Sequence, residues 1–169
     1  HLDIVKAPKM QLVLWIALGT VIAAVLAVFA ANMAGTLLAA TLMYQLHTVP
    51  AEYIEGMNAI SRHYVELEFG QAFSYGVISG FIIAGIVWMK PSVQSAAFFV
   101  IVMFTYLIAM GNFTHVIAGS TELFLLAMQG EVTLYQLCSL IFATLLGNIA
   151  GGTGLFAMLA HGQVAHEID

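Results

Sequence analysis

Residues 111 to 121 read Gly111-Asn112-Phe113-Thr114-His115-Val116-Ile117-Ala118-Gly119-Ser120-Thr121. Small and polar side chains, a histidine among them, gather here inside a segment without charges that runs from Pro91 to Thr121. That segment has about 30 residues, more than the roughly 20 that cross a bilayer as one helix and too few for two spans with a loop. A helix interrupted near His115 explains both observations, because non-helical backbone at membrane depth is tolerated where it lines a cavity or is buried in protein.

The composition is that of a membrane protein. Hydrophobic residues make up 62% of the chain and charged residues 8%, and the mean hydropathy is +0.98. Several uncharged stretches are each long enough to span a bilayer: Met10–Ala51, Phe69–Met89, Pro91–Thr121 and Val132–His166. We therefore expect an all-α polytopic membrane protein whose main partner is the lipid bilayer. The 4 basic residues are too few for a nucleic-acid-binding patch.

The chain is expected to form a single transmembrane domain over residues 1–169. It begins with His1 rather than Met, so we expect it to be part of a longer protein. The helices are predicted at about 11–46, 69–89, 93–110 with 113–128 as one interrupted helix, and 132–161. Pro91 should stop the second helix. The segment with Asn58, Ser61, Arg62 and His63 is expected to be a polar connection.

Orientation follows from the few basic residues. Lys6 and Lys9 precede the first span and Lys90 follows the second, whereas the loop at 47–68 is rich in glutamate. By the positive-inside tendency, the N-terminus and the Lys90 turn are cytoplasmic and the 47–68 loop is external. The C-terminus is then cytoplasmic. We expect an integral protein of the plasma (inner) membrane.

His115 is the leading candidate for a functional residue. If Asn112 is the N-cap of a half-helix that starts at Phe113, His115 lies in the first turn, where the helix dipole stabilises anions. The imidazole could there donate a hydrogen bond or a proton to a small anion. The alternative is a neutral histidine that bonds a facing helix and holds the bundle together. Ionisable groups inside membranes are rare and costly, which favours the functional interpretation.

Two further polar residues have two interpretations each. Glu122 follows His115 by seven residues, so both lie on one helix face about 10 Å apart. It either tunes protonation or deters anions at the outer mouth, or it is an acid that simply reaches the external interface. Asn148 lies in a glycine-rich run at 147–154. It bonds either the interrupted helix or its own neighbours, and the glycines either line a pore or allow close helix packing.

Four motifs resemble the formate/nitrite transporter family. Phe113-Thr114-His115-Val116-Ile117-Ala118 is similar to the Phe-x-His-x-x-Ala motif of its interrupted fifth helix. Gly147-Asn148-Ile149-Ala150-Gly151-Gly152 resembles its sixth-helix Gly-Asn-x-x-Gly-Gly, and Asn32-x-x-Gly35 resembles a third-helix counterpart. Val87-Trp88-Met89 matches the end of its fourth helix. The motifs stand in the family's order and correspond to its third to sixth helices.

The resemblance implies an aquaporin-like fold, a homopentamer with one pore per protomer, and passage of small monovalent anions such as formate or nitrite. It implies that His115 is the central pore histidine, which helps a weak-acid anion between two apolar constrictions. The chain departs from the family pattern at Thr114, where an acidic residue can stand, and at Gly119, where an asparagine stands. The polar fourth-helix position is Ser79 or Gly80.

We therefore predict a channel or transporter for small monovalent anions, with or without accompanying protons, and not an enzyme. No cofactor or metal is expected. Asn112 and Asn148 would hold the break, and Ile108 with Phe104 would form an inner apolar gate. The predicted pore residues are His115, Thr114, Asn112, Asn148, Ile108, Phe104 and Glu122. The rivals are a neutral small-solute channel of the same fold and a non-transporting membrane scaffold subunit. The other histidines are expected at the surface: His47, His63, His161 and His166.

Overall fold

The computed structural model describes residues 8–168, with side chains described over residues 10–164. Within that part the chain forms helices and no strand. Lys6 and the side chain of Lys9, which the orientation argument used, lie outside the described residues. The helices are α1 (Pro8–Tyr44), α2 (Ala51–Val65), α3 (Phe69–Val93), α4 (Ala97–Met110), α5 (Val116–Met128), α6 (Leu134–Ile149) and α7 (Ala157–Ile168). The predicted all-α polytopic architecture is confirmed.

Three helical segments are long and apolar enough to cross a membrane: Met10–Tyr44, Phe69–Met110 and Leu134–Val164. The second segment doubles back on itself. A short 3-10 turn at Gln94–Ala96 separates α3 from α4, and Gln94 has a positive φ of 30°. Ile83 and Ile108 consequently line the same cavity from opposite arms of this hairpin. The shorter apolar helix α5 then continues the path of α4, so these two helices form one interrupted crossing.

Several predicted helix limits differ from those of the structure. α1 runs from Pro8 to Tyr44 rather than 11–46, and α3 continues through Pro91 to Val93. Pro91 is tolerated because it lies in the last turn, where its ring removes at most one hydrogen bond of the helix. The last crossing continues from α6 through a π-helical segment at Ala150–Phe156 into α7, beyond the predicted limit of 161.

The predicted polar connection at 51–65 is a helix. α2 is amphipathic and buries Ile54, Asn58, Ser61 and Tyr64 on one face. Polar residues alone predict an irregular connection, which is wrong here because helical spacing places these four residues on one face. Ile54 packs with Ala40 of α1 and Leu125 of α5, so α2 closes one end of the bundle.

Polar contacts fix α2 onto the turn between α5 and α6. The guanidinium of Arg62 donates two hydrogen bonds of 2.9 Å to the carboxylate of Glu131 and also pairs with Glu55 at 3.2 Å. The amides of Asn58 and Gln129 bond each other at 2.8 and 3.0 Å. The forked Arg62–Glu131 geometry sets the orientation of α2 as well as its position.

Helices α3 and α6 run parallel and approach closely along a row of small residues. A Cβ added to Gly76 would lie 2.9 Å from the carbonyl oxygen of Thr144, and one added to Gly147 would lie 2.9 Å from the Cα of Gly76. One turn further along, Gly80 touches the backbone of Asn148. Small residues at a helix interface let backbones come this close, which is the usual basis of helix association in membranes.

Replacement of Gly151 by alanine should weaken this interface. The new Cβ would overlap the carbonyl of Val77 and lie 2.9 Å from the amide nitrogen of Phe81, and neither backbone group can rotate away. Overpacking of this kind costs about 1–3 kcal/mol. We expect a lower apparent melting midpoint in detergent, measured by fluorescence-detected size exclusion. Gly154→Ala is the control, since nothing lies within 4 Å of its added Cβ; equal midpoints for the two variants would contradict the interface.

The Arg62–Glu131 pair predicts a pH-dependent contribution to stability. Hydrogen bonds from Arg62 hold the pKa of Glu131 below its ordinary value of 4.5. A lowered folded-state pKa contributes stability that is complete above the ordinary value and is lost as pH falls through the folded one. The melting midpoint of Glu131→Gln should therefore lie below that of wild type at pH 7, and the gap should close under acid conditions below pH 4.5. Glu66→Gln should show no such gap; a gap that persists in acid would contradict the prediction.

Candidate functional site

The interruption begins with a defined helix end at residues 108–113. The amide of Phe113 donates to the carbonyl of Ile108 at 3.0 Å, and the amide of Asn112 donates to that of Ala109 at 3.1 Å. Asn112 has a left-handed φ of 51°. These two bonds and the left-handed residue form a Schellman motif, in which asparagine is a common substitute for glycine. Asn112 therefore ends α4.

His115, not Asn112, is the N-cap of the following helix. Its backbone is extended, and its Nδ1 accepts a 3.4 Å hydrogen bond from the amide of Ala118. The prediction that α5 starts at Phe113 with Asn112 as its cap is wrong by three residues. The physical reason is that Asn112 satisfies the carbonyl end of α4 instead, which leaves residues 113–115 extended between the two half-helices.

Asn148 holds the start of α5 against α3. Its Oδ1 accepts a 2.9 Å hydrogen bond from the amide of Val116, the first residue of α5. Its Nδ2 donates at 2.9 Å both to the carbonyl of Gly76 and to the hydroxyl of Ser79. One side chain on α6 thus bonds two other helices, and an N-terminal amide that the helix itself cannot satisfy gains a partner. Of the two interpretations, bonding to the interrupted helix is the observed one.

Thr114 fastens the extended segment from the other side. Its hydroxyl donates to the carbonyl of Ala72 at 2.7 Å, and its own carbonyl accepts from the hydroxyl of Ser79. The side chain is 4% exposed. Thr114 contributes to a cavity wall, but its hydroxyl is used in holding the break. Ser79, named only as one of two positions by the resemblance, is fully buried and belongs to the same network.

Two cavities meet at His115. The larger, of about 800 Å³, includes Trp88, Pro91 and Asn148 in its wall, and we call it the Trp88 cavity. The smaller, of about 270 Å³, includes Asn112 and Glu122, and we call it the Glu122 cavity. Ile83 and His115 are the two residues that line both. The imidazole therefore lies between two spaces, one lined from the C-terminal part of α3 and the other lined from α2.

The protonation of His115 follows from its cap. Because Nδ1 accepts a hydrogen bond from a backbone amide, a neutral ring carries its proton on Nε2. That N–H is then available as a donor. The site also lies at the positive end of the α5 dipole, which favours negative charge nearby. A hydrogen-bond donor and the positive end of a helix therefore meet at this point. The described residues contain no group of three or more His, Cys, Asp or Glu that could hold a metal ion.

Of the remaining predicted site residues, some line a cavity and one does not. Ile108 is 8% exposed and lines the Glu122 cavity, as does Glu122 itself, which is half-buried rather than at the open surface. Phe104 lies one turn earlier on α4 and lines neither cavity. The described geometry therefore brings His115, Thr114, Asn112, Ile108 and Glu122 to one cavity, with Asn148 at the other.

Two residues of α2 were missed by sequence reasoning. The hydroxyl of Tyr64 shares a hydrogen bond with that of Thr144, and its ring fills the space above Gly119. His63, expected at the surface, is half-buried and lines the Glu122 cavity. Only the helical stripe of α2 could have signalled them. His47 and His161 are exposed, and the side chain of His166 lies outside the described residues.

Replacement of Asn148 by leucine should destabilise the extended segment between α4 and α5. The variant removes the partner of the Val116 amide, the Gly76 carbonyl and the Ser79 hydroxyl. Each buried polar group that is left unsatisfied costs about 1–3 kcal/mol of stability. Hydrogen–deuterium exchange of a peptide over 112–120 should become faster. Asn32→Leu is the control, because Asn32 is exposed and its side chain bonds only the carbonyl of Val28 within α1. Unchanged exchange in Asn148→Leu would show that the bridge is dispensable.

Comparison with known proteins bears on the whole chain. The family model described as formate/nitrite transporter matches residues 12–162. The inner membrane protein YfdC of Escherichia coli (strain K12) is 37% identical over 100 residues, which cover 59% of this chain and 32% of YfdC. The match thus spans about a third of the length of that relative. No solved structure gives a significant match. The chain is an integral membrane protein and belongs to the formate/nitrite transporter family.

Proposed function

We propose that the chain forms part of a membrane path for small monovalent anions of weak acids, such as formate or nitrite, with His115 at its centre. The observation that carries the proposal is the meeting of the Trp88 and Glu122 cavities at His115 and Ile83. A solute that moves from one cavity to the other passes the imidazole. The family supports transport in general, and the anion and the role of His115 are our inference.

The chemistry of the junction suits such a solute. A dehydrated anion is costly at membrane depth unless donors replace its water. The Nε2–H of His115 is one donor, and the N-terminal dipole of α5 lowers the potential energy of a negative charge beside it. Ile83 and Ile108 provide an apolar wall that strips water from the solute. Passage is then fastest for an anion that accepts a hydrogen bond or a proton from the imidazole.

The proposed path requires that the extended segment at 113–115, between α4 and α5, keeps its conformation. The hydroxyl of Thr114 is hydrogen-bonded to α3, and the side-chain oxygen of Asn148 is hydrogen-bonded to α5. Asn112 provides the left-handed residue that ends α4. We infer that these three residues position His115 and that they do not bind the solute through the atoms already bonded. Ile108 lines the Glu122 cavity and Phe104 does not, so we infer an apolar constriction formed by Ile108 without Phe104, on the Glu122 side of His115 rather than at the predicted inner gate.

Assembly and orientation extend the proposal. We infer a homopentamer with one pore per protomer from the family, and an inner-membrane location that agrees with the name of the Escherichia coli relative. By the positive-inside tendency, Lys90 in the last turn of α3 favours a cytoplasmic position for the turn between α3 and α4. The Trp88 cavity then opens to the cytoplasm and the Glu122 cavity to the outside, and the C-terminus is cytoplasmic.

The proposal is tested with the full-length protein in proteoliposomes. Uptake of formate and nitrite is measured from pH 5 to 8 for wild type and for His115→Ala. We expect the variant to lose about tenfold or more of the rate, since one buried donor is worth roughly 1.4 kcal/mol or more. His161→Ala, a change at an exposed histidine of α7, should keep the wild-type rate.

Other outcomes separate the rivals. Flux of glycerol or urea that exceeds formate flux and survives His115→Ala would indicate a neutral-solute channel. No flux above empty liposomes from a protein that elutes as a single species would overturn the transport proposal and leave a scaffold subunit.

A further inference from the structure

Glu122 is an acid inside a path proposed for anions. It lies two turns after His115 on α5 and lines the Glu122 cavity. The two ion pairs among the described residues both belong to Arg62, with Glu55 and Glu131 as partners. Glu122 therefore has no cation bound to it in the described part of the chain, and its carboxyl group is half-buried against the cavity.

The surroundings of Glu122 offer few other titratable groups. His63 and Tyr64 reach this cavity from α2, and His115 reaches it from the start of α5. The lining residues of α3 and α4 are not titratable: they are Ile83, Thr105, Ile108 and Ala109. α1 and α6 also pack against α5, but none of their described side chains (from Met10 onward in α1) is a titratable group that lines this cavity. The titratable side chains that line the cavity are consequently Glu122, His63, Tyr64 and His115.

An anion and an ionised Glu122 do not fit this space together. The cavity has about 270 Å³ and a largely apolar wall, so water screens charges in it poorly. An anion that comes from this side must pass the carboxylate before it reaches His115. A protonated Glu122 removes the repulsion and adds an O–H donor, whereas the ionised form only repels.

We propose that Glu122 is a specificity-determining residue that lets the Glu122 cavity admit an anion only while its own carboxyl group is protonated. The proton comes from water on the Glu122 side and returns there, so only O–H bonds form and break. This inference rests on the proposed anion path, and it assigns the path an acid-activated filter on one side of His115.

The test compares formate uptake by full-length wild type, Glu122→Gln and Glu66→Gln from pH 5 to 8. The rate of each variant is divided by the wild-type rate at the same pH, which cancels the titration of formate itself. For Glu122→Gln the ratio should rise with pH, to about tenfold where the wild-type carboxyl group is ionised, as one removed repulsion of roughly 1.4 kcal/mol predicts. Glu66→Gln, an equal change of charge at an exposed position outside both cavities, should give a ratio of one throughout.

The outcomes that would contradict the proposed function differ from those that would contradict the filter alone. A wild type without formate flux overturns the proposed function and this filter with it. A wild type with flux and a Glu122→Gln ratio that stays constant with pH overturns the filter alone. If Glu122→Gln does not elute as a single species, Glu122→Ala decides instead: it also removes the carboxyl group, so its ratio to the wild-type rate should rise with pH in the same way, and a ratio that stays constant with pH would overturn the filter.

Discussion

The structure depends on one side chain that serves three helices. Asn148 of α6 accepts a hydrogen bond from the first amide of α5 and donates to a carbonyl and a hydroxyl of α3. In a bilayer no water is available to replace these partners, so an interrupted helix is stable only if another part of the protein bonds its ends. The extended segment that carries His115 keeps its conformation because the side-chain amide of Asn148 joins it to the rest of the bundle.

The bridge is short, and it works because the helices around it touch. α3 and α6 meet through Gly76, Gly80, Gly147 and Gly151, with no side chain between their backbones. A methyl group at any of these positions would separate the helices or displace one along the other. Asn148 lies in the same row, so its amide reaches Gly76 and Ser79 without stretching. The hydrogen bonds of Asn148 therefore depend on the close packing of α3 and α6.

Much of this could be predicted from the sequence, because the strongest signals were local. The lack of charge between Pro91 and Thr121 and the polar cluster within it indicated an interrupted helix, and the interruption is present. The assignment of its caps failed because Asn112 suits both a helix start and a helix end, and only the left-handed backbone distinguishes them. The contact of Tyr64 with Thr144 joins residues 80 positions apart, which no local pattern reports.

The ring of Tyr64 over Gly119 has a consequence for how sequences of this family diverge. A Cβ on Gly119 would overlap the ring, which is buried and tied to Thr144. A larger residue at position 119 therefore requires a smaller one than tyrosine at position 64. The two positions should covary across homologues, and neither should change alone without loss of packing.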